Sequence, residues 1–115
     1  MSRPVTVFKV LTADQMAALE DDAFEGAPVD IADGYIHLST AEQLTETVDK
    51  HFGGQTDLWV AAVDLEALGE RVKWEESRDG QLFPHIYGAL PLCVVTAYGA
   101  LKRDENGSVR LPVAG

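Results

Sequence analysis

Two short stretches set a histidine in apolar surroundings: "DGYIHLST", residues 33–40, and "LFPHIYG", residues 82–88. An imidazole can take up or release a proton near neutral pH, and a neighbouring hydroxyl adds a second polar contact. If "YIHLS" is extended, alternation puts Tyr35, His37 and Ser39 on one face and Ile36 and Leu38 on the other. Thr40 then opens a helix, whose N-terminus presents backbone N–H groups and a partial positive charge. His37, Ser39 and Thr40 thus form a candidate site for an anionic small molecule. They are equally accounted for if His37 is a core histidine bonded to backbone and Thr40 only caps the helix.

His85 sits between Pro84 and Tyr87, in a segment too apolar and too kinked for a simple surface loop. Rigid, irregular backbone often positions a functional side chain. His85 is therefore expected across a cleft from His37, with Tyr87 as a further ligand contact; a packed aromatic turn is the plainer account. "KWEESR", residues 73–78, offers Glu75 and Glu76 on opposite strand faces, with Ser77 and Arg78 following. Either one is a candidate catalytic carboxylate, against a solvated strand face. Lys9 interrupts an apolar run, and a buried lysine needs a partner, expected here to be a carboxylate on a neighbouring strand. His51, in "DKHFGG", suits the C-terminal end of a helix and is assigned no chemistry.

Those residues need elements to hold them. "VTVFKVL", residues 5–11, reads as a buried strand, and Thr12 with Gln15 has the spacing of a capping box at a first helix. "FEGAPVDIADG" reads as loop, punctuated by Gly26, Pro28 and Gly34. Thr40 with Gln43 starts a second helix, on which Leu44, Val48 and Phe52 form one stripe before Gly53 and Gly54 stop it. "DLWVAAVDL" reads as a central strand, "EALGE" as a short helical loop, and "RVKWEESRDG" as a more exposed strand. "LFPHIYG" is expected to be partly irregular because Pro84 lacks a donor. A further strand lies within residues 90–104, "DENG" is a hairpin-type turn, and "SVRLPV" is a closing edge strand. The pattern is α+β in a single domain spanning residues 1–115, with two early helices and strands dominating the second half.

Composition narrows the function classes. With 9 Lys and Arg against 19 Asp and Glu, the net charge is −10, which repels polyanions, so nucleic acid and anionic membranes are not expected partners. The single cysteine, Cys93, cannot form an internal disulfide and is expected as a buried, inert thiol in "LPLCVVTAY". No signal peptide is apparent, and no apolar run approaches the roughly 20 residues of a membrane helix, so the expected location is cytoplasmic. Zinc patterns, phosphate-cradling glycine loops and dinucleotide fingerprints are absent, and no local spacing supports a metal site.

In order along the chain, "FKVL", "DGYIHLSTAEQL", "DLWVAAVDLEAL", "KWEESR" and "LFPHIYGALPL" resemble the bacterial domain of unknown function 952 family, over about residues 5–102. The resemblance implies an ADP-ribosyltransferase-like fold, a split and mostly antiparallel β structure. "YIHLST" is similar to a core-strand segment of the RNA 2′-phosphotransferases. By that similarity His37 and Ser39 would contact NAD or an ADP-ribosyl group, Lys9 would line the cleft, and Glu75 would orient a ribose hydroxyl. NAD would then be a substrate rather than a resident cofactor. The first-strand His-Gly-Thr signature of many transferases is missing, as are the phosphate-binding arginines of the RNA enzymes. Three functions follow as expectations: an ADP-ribosyl-transferring enzyme or NAD-binding domain, a non-catalytic small-ligand or partner-binding domain, and a two-histidine phosphoesterase. The last wants two His-x-Ser/Thr motifs, which "HLS" satisfies and "HIY" does not.

Overall fold

The computed structural model of the chain describes residues 5–76 and 80–112. Among the described residues six strands form two antiparallel sheets. In the first, β1 (Thr6–Leu11), β3 (Trp59–Asp64) and β6 (Val95–Ala100) lie in the order β1-β3-β6. In the second, β2 (Ile36–His37), β5 (Leu82–Ile86) and β4 (Val72–Glu76) lie in the order β2-β5-β4. Between strands come α1 (Ala13–Glu20), α2 (Pro28–Asp33), α3 (Ala41–His51) and the short α4 (Leu65–Leu68). The α+β class and the antiparallel pairing match the sequence reading. Among the described residues no helix is long and apolar enough to cross a membrane.

In the first sheet β1 and β3 are buried on both faces, which is why they read as near-continuous apolar runs rather than alternating ones, while edge strand β6 alternates. One face puts Val7, Leu11, Ala61 and Val63 into a core shared with Met16 and Leu19 of α1 and with Ile36, Leu38 and Ile86 of the second sheet. The other face packs Phe8, Val10, Val60 and Ala62 against Leu44 and Val48 of α3. The two sheets meet where the chain leaves β2. Phe8 and Ser39 exchange backbone hydrogen bonds of 2.8 and 2.9 Å, so residues 36–39 pair first with β5 and then with β1. That switch is what brings Lys9, His37 and Ser39 together.

Both capping boxes form, at Thr12/Gln15 and Thr40/Gln43. Four expectations need correction. The segment read as loop contains α2, begun by Pro28 at its first position and closed by Gly34 in the left-handed region at φ 87°. Pro28 and Gly34 are thus helix punctuation, start and stop, around a helix too short to show an apolar period. Pro84 sits within regular β5, at the centre of its sheet. Its carbonyl accepts from Leu38 N (3.0 Å) on the β2 side, so its missing N–H faces the same side, where β2 is ending and leaving for β1. One ladder bond is lost, the reciprocal one to the Leu38 carbonyl, and it falls at the very end of the β2 pairing. Cys93 is exposed, because it lies on a 3-10 turn (Leu92–Val94) ahead of β6 rather than inside the strand. "SVRLPV" contributes only a bridge, Arg103 with Val109, after the expected turn, and its Val113 lies outside the described residues, as do Ser77 and Arg78.

Candidate functional site

His37 and His85 stand directly opposite each other on adjacent strands β2 and β5. Because Leu38 and Pro84 are joined by a hydrogen bond, the next pair along, His37 and His85, is the non-hydrogen-bonded kind, which brings side chains closest. Their rings lie 5.3 Å apart, edge to face at 70°. Ile36 and Ile86 point into the core from the other side of the sheet, so alternation turns both imidazoles outward. Tyr35 stacks on His85 at 4.2 Å and lies 4.9 Å from His37.

Each imidazole is held through Nδ1 by a carboxylate. His37 Nδ1 meets Asp30 Oδ1 at 2.6 Å, and its Nε2 meets Asp33 Oδ2 at 3.0 Å. His85 Nδ1 meets Glu75 Oε1 at 2.8 Å, and its Nε2 has no hydrogen-bond partner among the described residues, although the residue is only 2% exposed. The protonation pattern follows from these partners. For both nitrogens of His37 to donate to acceptor-only carboxylates, the ring must be the doubly protonated imidazolium. His85 needs a proton only on Nδ1, which leaves a bare lone pair on Nε2.

Asp30 is the organising residue, and the sequence reading missed it. It occupies the third position of α2, where Oδ2 accepts from Ala27 N (2.7 Å) and closes the first turn. It also accepts from His37 N (3.1 Å) and pairs with Lys9 Nζ at 2.9 Å, while Lys9 donates to the His37 carbonyl at 3.1 Å. The partner of Lys9 therefore sits on a helix and not on a neighbouring strand. A Cβ at Gly26 would come within 3.0 Å of Asp30 Cβ, so that glycine leaves room for the turn. Burial alone would raise Asp30, but the His37 hydrogen bond, the Lys9 charge and the Ala27 N–H outweigh it and hold the carboxyl at about 2. Burial pushes the Lys9 ammonium below its ordinary range, against the pull of Asp30. The only sequence signal for Asp30 was its place two residues after Pro28, which reads as loop until the helix is known.

A cavity of about 310 Å³ opens beside the pair, near the lower end of ligand pockets. Lys9, Asp33, His37, Ser39, His51 and His85 line its polar side, and Phe8, Val10, Val29, Phe52 and Phe83 contribute apolar wall. All three histidines of the chain thus face one space, including His51, to which the sequence assigned no chemistry. Ser39 lines the cavity as expected, its hydroxyl 2.9 Å from that of Thr47. Thr40, Glu75 and Tyr87 do not line it. Thr40 caps α3. Glu75 backs His85 and accepts from the Tyr87 hydroxyl at 2.8 Å, and those two hydrogen bonds, His85's first, hold its carboxyl below the usual range. The same bond raises the Tyr87 phenol. Glu76 lies on the opposite strand face from Glu75. Among the described residues no group of three or more His, Cys, Asp or Glu side chains is arranged to hold a metal ion.

The model of a family described as "Protein of unknown function (DUF952)" matches residues 10–98, a stretch that includes every residue of the site except Phe8 and Lys9. The chain belongs to this family. Among solved structures, the crystal structure of protein CC0527 from Caulobacter crescentus is similar at 43% identity, covering 91% of this chain and 93% of that one, with a TM-score of 0.82. The solution NMR structure of CC0527 is similar at 43% identity, covering 92% and 91% of the two chains, with a TM-score of 0.76. No curated protein matches this DUF952 chain.

Proposed function

We propose that the cavity is a catalytic site in which His85 acts as general base and His37 as general acid on a small-molecule substrate. One observation carries this reading: the Nε2 of buried His85 is unpartnered while Glu75 fixes its Nδ1. A neutral imidazole so oriented accepts a proton on Nε2, and the resulting cation is stabilised by Glu75 behind it. His37, set between Asp30 and Asp33, supplies the complementary proton. Asp33 sits on the rim and is half exposed, so it can yield His37 Nε2 to a substrate, whereas buried Asp30 keeps the ring in place. The tautomers test this directly. Two-bond proton–nitrogen NMR of the imidazoles should find the neutral His85 ring carrying its proton on Nδ1, with Nε2 bare. A proton on His85 Nε2 would remove the base and sink the proposal.

A narrower reading places the ribosyl end of NAD or ADP-ribose in this cavity, with His37 and Ser39 in contact with it. It draws support from His37, Ser39 and His85 lining one space. It is weakened by Glu75, whose carboxylate is taken by His85 and Tyr87 instead of reaching a ribose hydroxyl. Titration with NAD and ADP-ribose, followed at the His37 and His85 resonances, decides it: no shift at millimolar ligand excludes the ribosyl reading and leaves acid–base chemistry on another substrate.

A further inference from the structure

Building on the acid–base reading, we infer that the part of the ligand held in the cavity is an uncharged planar ring bearing an N–H or O–H group that donates to His85 Nε2. Three features carry the inference. The first is the orphaned nitrogen. A polar atom that has lost water without gaining a partner destabilises the fold, and few native groups stay so. With Nδ1 turned to Glu75, which lies outside the cavity lining, Nε2 is left on the other edge of a ring that lines the cavity, buried under its neighbours until a ligand displaces them. The lone pair there can only accept, so the ligand must donate.

The second feature is charge. An anion in this cavity would need a cation to meet it, and the cations on its wall are engaged. Lys9 is bound to Asp30 and the His37 carbonyl, and His37 keeps buried Asp30 as its counter-charge even where Asp33 yields its Nε2. His51, at the exposed end of α3, already interacts with neighbouring groups. The N-terminus of α3 offers no substitute, because Thr40 and Gln43 satisfy each other there and neither lines the cavity. A cation fares no better: Asp30 and Asp33 are paired with Lys9 and His37. Burying an uncompensated charge is far costlier than burying a neutral group. The third feature is shape. Phe8, Phe52 and Phe83 contribute three aromatic rings to the wall, and such walls favour a flat apolar body in offset or edge-on contact. A longer ligand can still carry charge outside this space.

The test uses three one-ring probes titrated into the full chain and followed by NMR at Phe83, His85 and Ser39. Phenol has the ring and the donor, toluene the ring alone, and benzoate the ring with a negative charge. Phenol is expected to bind with shifts confined to these residues, toluene about tenfold more weakly, the loss expected for one hydrogen bond, and benzoate more weakly again. In Glu75→Gln, the exposed side-chain amide can donate to Nδ1 and move the proton to Nε2. The preference for phenol over toluene should then fall to within about twofold, and His85→Phe should abolish it. Toluene or benzoate binding as tightly as phenol, or no response to phenol at millimolar concentration, would overturn the inference. The tautomer measurement keeps the two proposals apart. Loss of phenol binding with His85 protonated on Nδ1 rejects the ligand class alone, whereas a proton on Nε2 rejects the base.

Discussion

Asp30→Asn is the perturbation on which the site most depends. Asp30 accepts from Lys9 Nζ at 2.9 Å, His37 Nδ1 at 2.6 Å, Ala27 N at 2.7 Å and His37 N at 3.1 Å, and is 2% exposed. Asparagine keeps the shape but offers a single acceptor oxygen, and it turns an NH2 group toward the donors of Lys9 or His37. It also leaves the Lys9 ammonium, 5% exposed, without its counter-charge. Breaking a buried pair from one side costs about 3–5 kcal/mol. For 115 residues the entropy of unfolding is about 0.24 kcal/mol per degree, so the melting temperature should fall by about 12–20 °C. Adding Lys9→Met removes the stranded charge, so the double variant should recover about 2 kcal/mol or more relative to additivity. Urea and thermal unfolding by circular dichroism at pH 7, run as a double-mutant cycle, measure both quantities. A loss under about 1 kcal/mol for the single variant, or an additive cycle, would refute the claim that Asp30 and Lys9 form one unit.

Acid gives the same residue a second signature. The folded value of about 2 lies below the ordinary 3.8, so Asp30 contributes about 2 kcal/mol that is fully present above pH 4 and lost as pH falls toward 2; the gap between wild type and Asp30→Asn should narrow by about that much in that window. Thr40→Ala removes the side-chain acceptor of Gln43 N and should cost about 0.5–2 kcal/mol in urea unfolding, with the tautomers of His37 and His85 unchanged. Replacing Glu75 by Ala should bring the Tyr87 phenol down toward its usual titration range, because the acceptor that raises it is gone; ultraviolet pH titration would show an unchanged Tyr87 if that bond does not exist in solution. Cys93, exposed on its turn, should react with a thiol reagent in the native protein at the same stoichiometry as in denaturant, and protection in the native state would contradict its placement.

What the residues decide on their own is local. Capping chemistry marks where α1 and α3 begin, because Thr12/Gln15 and Thr40/Gln43 satisfy helix donors within a single turn. Period-two alternation assigns His37 and Ser39 to one face and Ile36 and Leu38 to the other, and long apolar runs mark β1 and β3 as doubly buried. Asp30 was out of reach of such reasoning. Its meaning lies in contacts across 21 residues to Lys9 and 7 to His37, through a helix too short to show a period. Pro84 was misjudged because a proline costs a strand only the bond its missing donor would make, and here that is a single bond to Leu38, where the β2 pairing ends. The roles of Glu75 and His51 were settled the same way: one backs His85 from across β4 and β5, the other reaches the cavity from the end of α3. Spacing along the chain announces what a turn of helix or a stretch of strand will do. Which carboxylate meets which imidazole depends on how two sheets join at Phe8 and Ser39, and that pairing is a property of the packed chain.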